Sequence, residues 1–499
     1  MRRVQKSFHA LLSASVLCVV ATATGWSQSL TWLGTLGGSE SWASGVSADG
    51  RVVVGWAYKP HWQMRAFRWT AEGGMQDLGT LGGDVSVALG VSADGSVVVG
   101  WAHNADYHNR AFRWENGVVQ DLGTLGGVES WASGVSPDGS VVVGWARDAV
   151  GERAFRWTAA GGMQDLGTLG GYWSRASGVS PDGLVVVGVA DNANWIDRAF
   201  LWTAVGGMQD LGTLPGGYRS GASGVSADGR VVVGSSDNAA GNRRAFLWTA
   251  AGGMQDLGTL PGGNSSWASG VSPDGQVVVG SSLYDGQNRA FRWTADSGME
   301  DLNITCAHLL TSGSSLEVAR AISPDGRYIV GTGWNAATGR QWEAFRLDVG
   351  VFRISGKIRL GDFDGDPTLI PITVQLRQNG RVARSVDLTT DADGNYTISD
   401  VVPGTYKLAF KASHWLRRVV HGVRVAKDDV KDKNVSLING DVDGDNEVTL
   451  FHFGWQVAAF GSVPGDENWN ADADLDGDEE VTLFDFVILV RNFGAIGDD

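Results

Sequence analysis

The chain has 499 residues, of which 72 are Gly, 22 Trp and only 11 Pro, and its formal net charge is −16. That length allows two to four domains, and the scarcity of Pro excludes a collagen-like or low-complexity chain. The acidic balance argues against a nucleic-acid partner, because phosphate binding needs a basic stripe and none is visible. Abundant Gly and Trp point instead to a turn-rich, aromatic, all-β repeat protein, and an acidic chain of this kind suits cations or neutral polymers.

The N-terminus reads MRRVQKSFHALLSASVLCVVATATG. Arg2, Arg3 and Lys6 form a basic start, 10–20 is an apolar run, and Ala21-Thr22-Ala23 supplies small residues for cleavage. The run is too short to span a bilayer comfortably. Residues 1–27 are therefore expected to be a secretory signal peptide, and the protein to be secreted, extracellular or on a bacterial cell surface. Removal of the peptide takes Cys18 and leaves Cys306 without a disulfide partner. No other stretch reads as a transmembrane anchor.

One hairpin then recurs. GVSADGRVVVGWA at 45–57 has near copies, and their shared Asp falls at Asp49, Asp94, Asp138, Asp182, Asp228, Asp274 and Asp325. A second word, R-A-F-R-W or a variant, recurs from Phe67 to Phe345, and a third, D-L-G-T-L-G-G, from Leu78 to Leu257. Each period reads as four short strands, in the first case 43–47, 52–57, 66–70 and 75–80. Small residues in the first strand suit crowding near an axis. The second, VVVG, is apolar on both faces, as a strand inside a layered stack is. Trp69 and its equivalents, among them Trp114, Trp157 and Trp202, are expected to fill space between neighbouring sheets. The repeated Asp is expected to shape a turn, and the Arg before Ala-Phe to bond between sheets.

A period near 45 residues with four strands predicts a propeller blade, with a β-solenoid as the rival. A stray copy of the fourth strand, LTWLGTLGG at 30–38, precedes the first unit, and none follows the last. A ring uses that phase, because the N-terminal strand completes the last blade. The expectation is a seven-bladed β-propeller over 28–350. RAFRWTAEGGMQDLGTLGG resembles the HAF repeat of bacterial extracellular proteins over nearly all of this region, a resemblance that implies no defined activity. His61, Trp62, His103, His108, Trp195 and Tyr284 are not repeated. They fall in the variable loops where propellers commonly bind ligands, so a polysaccharide is a possible partner there.

From Val351 the words change. TTDADGNY and PGTY resemble carboxypeptidase regulatory-like or Cna-B-like modules, which implies a transthyretin-like β-sandwich spacer over 351–437. Asp393-Gly394 is expected to turn a hairpin. Asp362, Asp364 and Asp366 offer carboxylates to a cation or form a solvated acidic loop.

The tail, 438–499, repeats itself at an offset of 33: DVDGDNEVTLFHFGWQVAAFG, then DLDGDEEVTLFDFVILVRNFG. Ca²⁺ takes six to eight oxygens, and a twelve-residue loop supplies them from positions 1, 3, 5, 7, 9 and 12. Those positions hold Asp441, Asp443, Asp445, Glu447, Thr449 and His452, then Asp474, Asp476, Asp478, Glu480, Thr482 and Asp485. Position 7 would donate its backbone carbonyl. A helix follows each loop, with Leu450, Phe453, Val457 and Phe460, and Leu483, Phe486, Val487, Val490 and Phe493, at helical spacing. These are expected to pack the two units together. The duplicated pattern resembles dockerin modules, which implies bound Ca²⁺ and a cohesin-like or other cell-envelope partner. His452 departs from that family's carboxylate, and Leu450-Phe451 and Leu483-Phe484 from its small polar contacts.

The fold expected is mainly β: a propeller, a β-sandwich, and a small all-α dockerin-like pair of calcium loop–helix units. The function expected is a secreted, non-catalytic surface or matrix protein with a recognition head and an attachment tail. The alternative is a polysaccharide-degrading glycosidase or lyase delivered by that tail. Such catalysis needs a unique pair of carboxylates, and the Asp of the hairpin occurs in every repeat.

Overall fold

The computed structural model describes residues 28–499 except 296, 379, 427 and 428. The signal-peptide reading of 1–27 lies outside the described residues. The first repeat shows how sequence becomes sheet. Its strands are Ser41–Val46, Val53–Tyr58, Met64–Thr70 and Gly74–Asp77, paired antiparallel in that order. The fourth strand ends earlier than its sequence suggests. Asp77 Oδ1 accepts the N–H of Gly79 at 2.9 Å, and Gly79 turns the chain away at φ +82°.

The Ser-x-Asp-Gly word builds the turn after the innermost strand. Ser47 Oγ donates to Asp49 at 2.7 Å and accepts the Val52 N–H at 3.0 Å, while Asp49 accepts the Arg51 N–H at 3.0 Å. Equivalent bonds recur through to Ser323 and Asp325. Hydrogen bonds from Ser92 and Ser96 hold the Asp94 carboxyl down at about 2. The Gly that ends VVVG is set by close approach: a Cβ on Gly55 would lie 1.9 Å from the Trp42 carbonyl oxygen.

Residues 28–350 form seven such four-stranded sheets among those described. The VVVG strand is apolar on both faces because each face meets a different neighbour. Val53 packs with Phe67 and Trp69 against Val330 and Ala344, whereas Val52 and Val54 pack against Val98 and Phe112. Each successive pair of sheets shares a buried cluster of this kind, and one cluster joins the last sheet to the first. A solenoid has two open ends and makes no such contact. The stray N-terminal strand, Ser29–Trp32, is the outer strand of the last sheet, running antiparallel to Arg340–Asp348 from Ser29↔Asp348 to Trp32↔Phe345. The fold is a β-propeller, with the innermost strands lining a central channel.

A stitch that the repeat words did not reveal reinforces each junction. The first Ser of S-x-A-S-G-V reaches across to the preceding sheet. Ser130 Oγ accepts the Ala111 N–H at 2.9 Å and donates to the Gly123 carbonyl at 2.6 Å. Between the sixth and seventh sheets Asn303 does this work through Leu316 N–H and C=O. The Arg before Ala-Phe pairs within its own sheet, as Arg110 does with Asp121 at 3.1 Å, and in two sheets also reaches the next, as Arg153 does to the Tyr172 carbonyl at 2.5 Å. The Arg after Phe crosses too: Arg156 donates to the Gly183 carbonyl at 2.9 Å.

The next unit packs two sheets face to face. One holds Asn395–Val401, Phe352–Leu360 and Val435–Leu437; the other holds Arg381–Leu388, Ile372–Gln378, Gly404–Ala412 and Arg418–Val425. Alternating residues such as Ile372, Val374 and Leu376 enter a shared core with Phe410 and Trp415. Asp393-Gly394 does not turn a hairpin. Its flanking strands lie in different sheets, so the turn carries the chain across the sandwich. Arg292 fixes the propeller to this unit by donating to the Pro403 carbonyl at 2.6 Å.

The tail has helices at Leu450–Ala459 and Leu483–Asn492, each opened by a Thr capping box. Its packing bears out the sequence reading only in part: Phe453 meets Phe486 at a ring distance of 5.0 Å and joins the two units, but most of the stripe faces solvent. Leu450, Val457, Phe460, Leu483, Val487, Val490 and Phe493 are exposed. The buried helical residues are His452, Gln456 and Ala459, and Asp485, Ile488 and Leu489. The core is drawn mainly from the loops, through Val442, Val448, Leu475 and Val481, and from Leu416 of the preceding unit. Helical spacing identifies an apolar stripe but not what covers it.

Candidate functional site

The tail loops concentrate the acidic side chains. In the second loop one carboxylate oxygen each of Asp474, Asp476 and Asp478 lies within 4.8 Å of the others. Asp485 is fully buried behind them. Its Oδ1 accepts the Leu475 N–H at 2.6 Å and its Oδ2 the Thr482 N–H at 2.7 Å. No basic side chain among the described residues pairs with this set. Burial, then repulsion from Asp485 and Asp478, pushes the Asp476 carboxyl up to about 6, and burial also raises Asp474. An all-oxygen, mutually repelling cluster fits Ca²⁺.

The first loop brings Asp441, Asp443, Asp445 and His452 together within the same 4.8 Å. Its electrostatics are opposite. The Thr449 N–H donates to His452 Nδ1 at 2.8 Å, so the proton of the neutral ring sits on Nε2, which faces Asp443 Oδ1 at 3.0 Å. Lys411, from the sandwich, reaches Asp441 at 2.8 Å. Burial acts to raise Asp443, but the His452 and Asp445 hydrogen bonds outweigh it and hold the carboxyl below its ordinary value. Asp443 and Asp476 are equivalent in sequence but shift in opposite directions: burial dominates at Asp476 and the Asp485 charge adds to it, whereas at Asp443 the His452 and Asp445 hydrogen bonds outweigh burial.

The remaining sequence-named positions serve the loops. Glu447 and Glu480 have exposed side chains, and their N–H groups donate to Asp445 and Asp478 at 2.9 Å. The Thr449 and Thr482 hydroxyls cap helices, accepting from Phe451 and Phe484. Asp362, Asp364 and Asp366 do not converge into a cluster of their own. Asp362 pairs with Arg491, the Asp364 N–H donates to the Asp476 carbonyl at 2.8 Å, and Asp366 caps Thr368. Phe363 lies so close to Gly477 that any Cβ there would strike its ring at 2.2 Å. The sandwich therefore braces both loops, through Lys411 and Phe363, which no spacing in the sequence identifies.

Residues 353–438 match the carboxypeptidase regulatory-like domain. The boundary of this regulatory-like domain falls at the start of the first acidic loop. Among curated proteins nothing matches the chain. Among solved structures, an interface mutant of a type II cohesin–X–dockerin complex from Acetivibrio cellulolyticus is 24% identical, over 29% of this chain and 97% of that one, with a TM-score of 0.26. The β-propeller domain of the Trilobed protease from Pyrococcus furiosus is 11% identical, over 65% of this chain and 94% of that one, with a TM-score of 0.41.

Far from the regulatory-like domain, the propeller carries a second concentration of chemistry. Ser44, Ser133, Ser177, Ser223 and Ser269, with Leu89 and Arg320, narrow the central channel, and Trp42 and Trp56 line its mouth. Those two rings stack at 3.8 Å. Trp62 lies on the same side, 5.3 Å from Tyr58, and His103 pairs with Asp84 at 2.8 Å. The partly buried strand tryptophans escaped notice in the sequence because they sit inside repeated words.

Proposed function

We propose that this is a secreted, non-catalytic surface or matrix protein. Its head is a closed seven-bladed propeller of HAF-type repeats. The regulatory-like domain carries that head on a dockerin-like, Ca²⁺-binding tail, which attaches the protein to a cohesin-like or other envelope partner. One observation carries this reading. The two tail helices expose the same large apolar residues at the offset of 33: Leu450 and Leu483, Phe451 and Phe484, Val457 and Val490, Phe460 and Phe493. Phe451 is 81% and Phe484 70% exposed, although a buried apolar core lies within the same unit. An apolar face that large favours a protein partner over water.

Ca²⁺ would be held by Asp474, Asp476 and Asp478 of the second loop, with Asp485 organising the loop behind them. The first loop fits it less well, because His452 and Lys411 already place hydrogen-bond donors on its carboxylates. The repeated carboxylates of the propeller are occupied by their turns, so the polymer-degrading alternative gains no support from them.

The test uses the full chain, because Leu416 and the 414–419 backbone complete the tail. Cohesin modules are presented to it in Ca²⁺ and in EGTA. Ca²⁺-dependent capture that is lost in Phe451→Ser/Phe484→Ser supports the reading. Capture that persists in EGTA or in that variant rejects it.

A further inference from the structure

One end of the propeller holds aromatic side chains that its repeat does not require. In three sheets the loop joining the second and third strands has one geometry. Asn104, Asn192 and Asn238 open it, and each side-chain oxygen accepts two backbone N–H groups of its own loop. The fourth position returns its N–H to the Asn carbonyl at 2.9–3.0 Å and lies in left-handed backbone. In one sheet that residue is Gly241, at φ +76°; in the others it is Tyr107, at +61°, and Trp195, at +64°. Gly takes this conformation freely, whereas a bulky side chain is strained by it. Burial does not offset the strain, since Tyr107 is 66% and Trp195 68% exposed. A fold that already has the Gly solution gains nothing from these rings, so strain held at exposed aromatics points to a ligand.

The surroundings of Trp195 define its class. Its ring stacks on Tyr172 at 5.1 Å. Tyr172 and Trp173 line a cleft of about 620 Å³ together with Glu152 and Arg175. The Arg175 guanidinium lies 5.3 Å from the Trp173 ring. Every charge that frames this cleft is paired: Arg175 with Glu152 at 2.6 Å, Arg147 with Glu129 at 3.2 Å, and Arg153 with Asp148 at 3.3 Å. A charged ligand would have to compete with those pairs. An apolar one would strip water from them and return no hydrogen bond. A neutral sugar ring meets both demands, because its C–H face stacks on an aromatic plane while its hydroxyls bond the polar rim.

We propose that this cleft binds a neutral polysaccharide chain, with the Trp195–Tyr172 pair as its stacking platform. The proposal rests on the propeller being the recognition head and names that head's ligand class.

Affinity electrophoresis of the full chain through gels containing β-glucan, xyloglucan or galactomannan tests it, with polygalacturonate and a proline-rich peptide as controls. At least one neutral polymer is expected to retard the protein. Trp195→Gly is expected to weaken that binding at least tenfold while the melting temperature holds or rises, because Gly relieves the strained turn. A lower melting temperature in this variant overturns the proposal, since the ring would then serve the fold. Retardation by polygalacturonate or the peptide alone, lost in the variant, overturns the neutral sugar but keeps the propeller as the head. Retardation of the wild type that the variant leaves unchanged overturns the cleft and removes its support for the head. No retardation by any neutral polymer overturns the proposal outright.

Discussion

Ser41 Oγ accepts the backbone N–H of Ala344 at 2.9 Å, joining residues 303 positions apart in the chain. The same hydroxyl donates to the Gly34 carbonyl at 2.6 Å. It is the stitch found at Ser130, here placed across the junction where the ring shuts. If the ring is closed in solution, Ser41→Ala and Ser130→Ala leave equivalent buried groups unsatisfied. Each should cost about 1–3 kcal/mol in denaturant unfolding. A cost at Ser130 with none at Ser41 means that the ends of the ring do not meet.

The contrast between His452 and Asp485 predicts unequal loops. Calorimetric titration of the wild type should show one tight Ca²⁺ per chain, assigned to the second loop. Asp476→Asn should abolish it. The double change His452→Asp/Lys411→Met removes both internal donors and restores a carboxylate at position 12, so a second tight site should emerge. Two equal sites in the wild type contradict the assignment.

The raised Asp476 carboxyl sets a pH window. Its folded value near 6 lies above the ordinary 3.8, so the folded state without Ca²⁺ binds a proton that the unfolded state releases between those values. That contribution to stability is present below about pH 4 and is lost as pH rises through 6. Ca²⁺ competes with the same proton, so affinity should be full above pH 7 and fall as pH drops through 6. Urea melts in EGTA at pH 4.5 and 7.5, comparing wild type with Asp476→Asn, isolate the effect. The variant should lack this component of the pH dependence.

Phe451 and Phe484 are exposed, so replacing both with Ser should change stability by no more than about 0.5 kcal/mol per site. Phe155, fully buried between two sheets, offers the comparison. Phe155→Ala should cost about 3–5 kcal/mol. Comparable losses at the tail residues show that their side chains are buried in solution.

Much of the fold is legible in the chain because the same words recur. Asp49, Gly50 and VVVG carry local hydrogen bonds and steric demands that read the same way in every copy, and the phase of Ser29–Trp32 anticipates its place in the last sheet. The acidic loops are legible for a similar reason, since their pattern is written twice at an offset of 33, whereas the single run of Asp362, Asp364 and Asp366 forms no cluster of its own. The serine stitch and the bracing by Lys411 and Phe363 are not legible. They join residues distant in sequence: the stitching Ser recurs with the repeat but its partner lies in another sheet, and no period marks Lys411 or Phe363. The Asp393-Gly394 turn misleads because a tight turn looks alike whether it joins strands of one sheet or of two.

The sequence by itself determined the repeat, its strands and turns, and the positions of two loops rich in carboxylates, all of which depend on contacts within a few residues. Tertiary structure alone decided which face of each tail helix meets solvent, which loop already carries its own cationic partner, and which aromatic rings share a cleft. Those outcomes turn on burial and on charges brought from other elements, and neither quantity exists until the chain has folded.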